Sequence, residues 1–148
     1  MAKIDRLGWA AGIAFDAFGA SIGVGTNDPA FLELLMPHFP PGWKARRSVA
    51  VDWLYSFRVG GTGRQPSVRH FHLLYENLEQ RARTLDLEEA IDSFARALRG
   101  HVATAATRRV IVHGGVVGWR SRAIVCAGRT FTGKTSLVAE LVRSGATY

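Results

Sequence analysis

Apolar and polar residues follow two different periods along the first hundred positions, which predicts a region of mixed strands and helices. Several short runs are rich in β-branched and aromatic residues and are bounded by glycine, proline or asparagine, as is typical of strands. The predicted strands lie at residues 12–19, 20–26, 49–59 and 71–75. Between the second and third runs, Asp28 and Pro29 occupy the cap and first positions of a predicted helix, which Pro37 ends.

A longer helix is predicted from Leu87 to about Arg99. Asp86 stands at its cap position, and Gly100 is expected to interrupt it before the apolar pattern continues. Its apolar residues recur at helical spacing and define one face. These residues are Leu87, Ile91, Phe94, Ala95 and Leu98.

The pattern changes after residue 105, so we divide the chain into an N-terminal α+β region, residues 1–105, and a second region, residues 106–148. In the second region, residues 109–113 and 123–127 are apolar runs that predict strands. Residues 136–143 have Leu137, Val138, Leu141 and Val142 at helical spacing and predict a helix.

Composition is that of an ordinary folded protein of 148 residues, with 47% hydrophobic residues and a formal net charge of +7. The basic residues are scattered, without the long basic block or arginine–aromatic stripe of nucleic-acid binders, so no nucleic-acid partner is expected. No apolar run reaches the ~20 residues that span a bilayer, and no membrane partner is expected. The single cysteine, Cys126, favours a reducing, cytoplasmic location.

The run from Gly128 to Thr135 reads GRTFTGKT and satisfies the pattern G-x-x-x-x-G-K-[ST] of a phosphate-binding loop. A short pattern of this kind also occurs by chance. Here it follows an apolar strand and precedes an amphipathic helix, which is the context in which such a loop binds a nucleotide.

Each residue type in this loop suits phosphate chemistry. Gly128 and Gly133 let the backbone approach a phosphate oxygen, Lys134 supplies a positive charge, and Thr135 supplies a hydroxyl for Mg²⁺. No role can be assigned to Phe131 from the sequence. The predicted nucleotide- and phosphate-binding residues are Gly128, Arg129, Thr130, Phe131, Thr132, Gly133, Lys134, Thr135 and Ser136.

Other catalytic patterns are weak. His70 and His72 lie two residues apart and could hold a metal, but no third ligand is evident, so packing or surface histidines are the favoured interpretation. The sequence contains no Ser-His-Asp order, CxxC pair or zinc-binding HExxH motif.

Residues 108–148 resemble the HPr kinase/phosphorylase family, which shares its core with ATP-dependent phosphoenolpyruvate carboxykinase. That family has a strand ending in His-Gly, a short hairpin, a second strand and then G-x-S-G-x-G-K-[ST]. This chain matches at His113-Gly114, at Gly128 and at Gly133-Lys134-Thr135. It departs at Thr130-Phe131, where many members have Ser-Gly.

The resemblance implies an α/β protein in which an α+β portion precedes the start of a P-loop core. It implies binding of ATP and Mg²⁺ and transfer of a phosphoryl group to a serine or other hydroxyl of a protein or peptide. His113 would lie beside the active site, although a strand-end histidine bound by backbone is equally compatible with the sequence.

The family's catalytic acidic pair follows this helix on the next strand, and Tyr148 precedes that position. We therefore expect a chain truncated within its P-loop core and incomplete for catalysis as it stands. The alternative is a non-catalytic interaction module or remnant that binds a partner or self-associates, with homo-oligomers as one form.

Overall fold

The computed structural model describes residues 7–48, 50–61, 70–107, 109–112, 114–129 and 132–148. The chain divides into two compact units, Met1–Arg108 and Arg109–Tyr148. Together the described residues contain eight strands and three α-helices. The mixed helix and strand content predicted by the sequence is confirmed, and it is consistent with the α+β class.

The first unit is a six-stranded sheet with two helices. Its strands are β1 (Ala11–Ala17), β2 (Ala20–Thr26), β3 (Lys44–Ala45), β4 (Trp53–Arg58), β5 (His72–Glu76) and β6 (Glu79–Thr84). Its helices are α1 (Pro29–Leu35), which a 3-10 turn at Met36–His38 extends, and α2 (Leu87–Ala105). The strand order is β3-β1-β2-β4-β5-β6. All neighbours are antiparallel except β2 and β4, which are parallel.

The core lies between one face of this sheet and the two helices. Phe94 of α2 is central, because its ring packs edge-on against Tyr55 and Phe57 of β4 and against Phe39. The ring of Phe31, in helix α1, also packs against Phe57. Side chains alternate between faces along a strand, so the core residues of each strand are two apart, as in Tyr55 and Phe57. This unit therefore has its own apolar interior.

The second face of the sheet carries small residues at one end and polar residues at the other. The paired residues Gly12↔Gly25 and Ala14↔Gly23 leave β1 and β2 with almost no side chains on this face. A Cβ added at Gly25 would lie 2.9 Å from the indole of Trp9, so the missing side chain is what lets Trp9 lie against the sheet.

Several predicted elements are confirmed. Strands β1, β2 and β5 lie within a residue or two of the predicted runs. Asp28 accepts a hydrogen bond from the backbone N–H of Ala30, with Pro29 in the first turn of α1. Asp86 caps α2 by accepting from the backbone N–H groups of Glu88 and Glu89.

Other predicted boundaries are wrong. Helix α2 does not break at Gly100 but continues to Ala105, because Val102 beyond the glycine is also buried and its burial outweighs the ~1 kcal/mol helix cost of glycine. Strand β4 begins at Trp53, so the run 49–59 is only partly a strand, and its Val49 lies outside the described residues.

The second unit is a hairpin with one helix. Strand β7 (Gly114–Trp119) pairs antiparallel with β8 (Arg122–Ala127), and helix α3 (Lys134–Arg143) packs against both strands. The backbone of Thr147 pairs with Gly118 along β7. Among the described residues of this unit, the buried apolar side chains are Val117 and Ala146.

One predicted strand in the second unit is wrong. Residues 109–112 form no strand, and His113 lies outside the described residues. The hairpin begins at Gly114 instead, because its closing turn at Arg120 and Ser121, both with positive φ, sets the register of the two strands. In the part of the chain that the structure describes, no helix is long and apolar enough to cross a membrane.

Candidate functional site

The motif of residues 128–135 follows strand β8 and runs into the first turn of helix α3, as the sequence predicts for the elements on either side. Gly133 is the residue before the helix and has φ 78° and ψ 14°, in the left-handed region. A side chain is disfavoured in this conformation, whereas glycine adopts it freely. The second glycine of the motif thus sets the turn that brings the chain from the loop into α3.

The ammonium group of Lys134 is held over the loop. Its Nζ donates to the carbonyl oxygen of Gly128 at 2.8 Å and to that of Arg129 at 2.5 Å. An ammonium has three N–H donors, and carbonyl oxygens of the described residues accept two of them. The lysine is thereby positioned at the start of the helix, with its charge facing the loop.

Thr132 makes two hydrogen bonds within the loop. Its backbone N–H and its hydroxyl both donate to the carbonyl oxygen of Arg129, at 3.3 and 2.8 Å. A Cβ added at Gly128 would lie 2.8 Å from the Thr132 hydroxyl oxygen. The first glycine of the motif is therefore required for close packing in the loop, in addition to any contact with phosphate.

The start of α3 adjoins the loop at Gly133 and Lys134. No side chain caps this end, and the first intrahelical bond is from the N–H of Leu137 to the carbonyl of Gly133, at 2.9 Å. The N–H groups of the first turn before Leu137 therefore have no acceptor within the helix. Thr135 and Ser136 are exposed in this first turn.

These contacts account for most of the predicted binding residues. Gly128, Arg129, Thr132, Gly133 and Lys134 form one hydrogen-bonded loop, with Thr135 and Ser136 adjoining it. The remaining predicted residues lie outside the described parts of the chain. They are Thr130, Phe131 and the candidate active-site residue His113.

Gly115 is a structural requirement of this site that the sequence analysis missed. A Cβ at Gly115 would lie 2.4 Å from Cγ2 of Val138, so the glycine is what allows α3 to approach β7. The Gly114-Gly115 pair was the available signal, because consecutive glycines within a strand indicate close approach of another element.

The charge of the second unit favours an anionic ligand. Residues 109–148 include six basic residues and a single acidic one, Glu140, which pairs with Arg143. Within the described ranges, no three His, Cys, Asp or Glu side chains converge as a metal site. In the first unit, Nδ1 of His72 accepts from the backbone N–H of Gly60 at 3.2 Å, so this nitrogen of the candidate metal ligand is already engaged.

A second polar cluster, in the first unit, joins α2 to the sheet. Nε2 of His101 lies 2.8 Å from Oε1 of Glu76, and the Tyr55 hydroxyl is hydrogen-bonded to Nδ1 of His101. Nε of Arg81 donates to Oε2 of Glu76 at 2.5 Å. Trp53 stacks on the imidazole, with ring centroids 4.8 Å apart.

The electrostatics of this cluster follow from its burial. Burial, reinforced by the charge of Glu76, raises the pKa of Tyr55 far above its ordinary value. The hydrogen bond to Glu76 raises the pKa of Arg81, which is already always charged. The polar side chains of Tyr55, Glu76, Arg81 and His101 each have a partner within the cluster. We therefore interpret the cluster as a structural connection between α2 and the sheet.

Comparison with protein-family models, with curated proteins and with solved structures finds no match to this chain. The interpretation of the site therefore depends on its own residues and geometry.

Proposed function

We propose that this protein binds Mg-ATP through the loop between β8 and α3, in the manner of the HPr serine kinases that residues 108–148 resemble. The observation that carries the proposal is the position of Lys134, whose ammonium is fixed by Gly128 and Arg129 beside the uncapped start of α3. A positive charge and free backbone N–H groups at one point are what a nucleotide phosphate requires.

The roles of the residues follow from these positions. The third N–H of Lys134 and the first-turn N–H groups of α3 bind phosphate oxygens, and Gly133 holds the backbone in the necessary turn. The exposed hydroxyl of Thr135 is suited to hold Mg²⁺ together with the phosphates. When bound, ATP would supply a transferable phosphoryl group, and the acceptor that the resemblance implies is a serine or other hydroxyl of a protein or peptide.

Phosphoryl transfer also needs a residue that orients or deprotonates the acceptor. Glu140, the one carboxylate of residues 109–148, is paired with Arg143 on the exposed side of α3. The described residues of the second unit therefore supply groups for nucleotide binding. Glu140 is engaged with Arg143, so it is not placed to activate an acceptor.

Calorimetric titration with Mg-ATP tests the proposal. We expect saturable binding by the wild-type chain and a loss of about tenfold to a hundredfold in affinity for Lys134→Ala, because a charge-assisted hydrogen bond is worth ~1.5–3 kcal/mol. Lys44→Ala is the matched control, since Lys44 is an exposed lysine in the edge strand β3. No saturable binding by the folded wild-type chain, or equal binding by Lys134→Ala, would refute the proposal.

A second candidate function is partner binding or self-association through the second unit. Val116 and Val125 are paired across the hairpin and are 49% and 55% exposed, because α3 packs on the face that contains Val117. An uncovered apolar pair on a two-stranded sheet favours contact with another apolar surface.

A further inference from the structure

The second face of the first unit contains a recess that the phosphate loop does not explain. The recess has a volume of about 580 Å³ and lies over β4, β5 and β6. Leu73, Phe71 and Tyr75 contribute to its lining, together with Arg58, Arg83 and Gln80. The helices of this unit pack on the opposite face, where the core is.

The two arginines occupy one row of the sheet. Arg58 pairs with Leu73, and Leu73 pairs with Arg83, so all three side chains leave the sheet on the same face. The outer two are separated by two strand spacings, roughly 10 Å. Leu73 thus lies between the two arginine positions in this row.

Both guanidinium groups are held by neutral partners. The Arg83 guanidinium lies 4.3 Å from the centroid of the Phe71 ring, and Nη1 of Arg58 donates to the carbonyl of Leu7 at 3.4 Å. No described Asp or Glu forms an ion pair with either arginine, and none lines the recess. Their two positive charges therefore remain uncompensated by the described residues.

The neighbouring row adds polar groups on the same face. The Tyr75 hydroxyl donates to Oε1 of Gln80 at 3.3 Å, and Ser56 pairs with Tyr75. The hydroxyl oxygen of Ser56 is buried, and no hydrogen-bond partner for it is found among the described residues. Ser56 itself does not line the recess, so the polar groups of this row that face it are the Tyr75 hydroxyl and the Gln80 amide.

We propose that this recess binds a small organic dianion, with one acidic group at Arg58, the other at Arg83 and a short apolar body over Leu73. The arginine fork matches the geometry of carboxylate and phosphate oxygens, and stacking on Phe71 fixes the Arg83 fork in advance. This site belongs to the first unit, where β4, β5, β6 and the adjoining residues 59–61 and 70–71 form it, whereas the nucleotide loop belongs to the second unit.

Calorimetry with glutarate as the probe and butyrate as the single-charge comparison tests this site. The Lys134→Ala chain is the background, so that the phosphate loop cannot contribute. We expect saturable glutarate binding, butyrate binding weaker by at least about tenfold, and a loss of at least about tenfold in Arg58→Gln and in Arg83→Gln. Arg96→Gln, at an exposed arginine of α2, is the matched control and should bind as the background does.

Three results would overturn the proposal. No saturable glutarate binding by the folded chain, equal affinity for butyrate, or equal binding by Arg58→Gln and Arg83→Gln would each exclude a two-point anion site. Arg83→Lys keeps the positive charge but loses the planar guanidinium fork. We expect its affinity for glutarate to lie between those of the background and Arg83→Gln. Circular dichroism of every variant should match the background.

Discussion

Gly133 shows at the residue scale how a motif position depends on backbone geometry. Its left-handed conformation disfavours a side chain, and no atom of the described residues lies within 4 Å of where a Cβ would be. The cost of a substitution there is conformational and not steric. The glycine is thus required for the turn into α3 independently of any ligand.

We predict that Gly133→Ala lowers the free energy of unfolding of the second unit by about 1–2 kcal/mol, because alanine is strained at positive φ. Gly133→Asn should cost less, since asparagine adopts this conformation more readily. Urea denaturation of both variants, followed by tryptophan fluorescence, measures the difference. Equal destabilisation by alanine and asparagine would contradict a conformational origin.

Tyr55 is the residue for which pH dependence can be predicted. The folded chain holds its hydroxyl neutral well above the ordinary pKa near 10, whereas the unfolded chain loses this proton near pH 10. The unfolded state therefore binds fewer protons above pH 10, and stability decreases as pH rises through that range. Below pH 10 this contribution is constant.

We expect Tyr55→Phe to remove the last step of tyrosine ionisation in an absorbance titration near 295 nm and to reduce the loss of stability above about pH 10. Tyr148→Phe, at an exposed tyrosine, is the control and should retain that last step. Retention of the late step in Tyr55→Phe would show that burial of this hydroxyl is not its cause.

Helix α2 shows at the element scale where tertiary burial overrides local propensity. Gly100 is exposed within this helix, and a Cβ there would meet no atom of the described residues within 4 Å. Glycine costs about 1 kcal/mol relative to alanine in such a position, chiefly through the entropy of the unfolded chain. The helix persists because buried residues lie on both sides of the glycine.

We predict that Gly100→Ala raises the free energy of unfolding of the first unit by about 0.5–1 kcal/mol. Thermal and urea denaturation should agree on the gain. As a control, Gly12→Ala should destabilise, because its Cβ would lie 2.9 Å from the carbonyl oxygen of Val24. No gain from Gly100→Ala would mean that the helix is already broken there.

The sequence predicts elements where local signals are strong, such as the capping aspartates Asp28 and Asp86 and the apolar runs of β1 and β2. It missed β6, whose residues Glu79–Thr84 are mostly polar and give no strand signal of their own. That strand forms through pairing with β5 across a turn at Asn77, which has φ 49° and accepts from the N–H of Leu54. The strand therefore depends on its pairing with β5 and on the contact between Asn77 and β4, which the residues of β6 alone do not encode.

The candidate site was more predictable than the sheet that accompanies it. The loop motif is local, so Gly128, Gly133 and Lys134 could be placed between a strand and a helix from their spacing alone. The parallel pairing of β2 with β4, and the row formed by Arg58 and Arg83, join residues that are distant in sequence. Register between such strands depends on the whole core, and no short pattern encodes it.

At the scale of the whole molecule, the two units differ in how fully they bury their apolar residues. The first unit has a continuous core around Phe94, whereas the second leaves the Val116 and Val125 pair largely exposed. An exposed apolar pair of this kind favours contact between chains at high concentration.

We therefore predict concentration-dependent association of the chain, reduced in the double variant Val116→Thr and Val125→Thr. Threonine preserves the β-branched shape and removes apolar surface. Sedimentation velocity over a tenfold or greater range of concentration measures the effect. Leu34→Thr, at an exposed leucine of α1, is the control. Association that is unchanged by the double variant would place the contact elsewhere.

The most direct test of the central claim is to locate bound Mg-ATP on the chain by amide NMR. The account predicts chemical-shift changes concentrated in Gly128–Ser136, abolished by Lys134→Ala and retained in Lys44→Ala. Changes centred on β4–β6, or no changes in a chain that is folded by its spectrum, would contradict a nucleotide site at this loop.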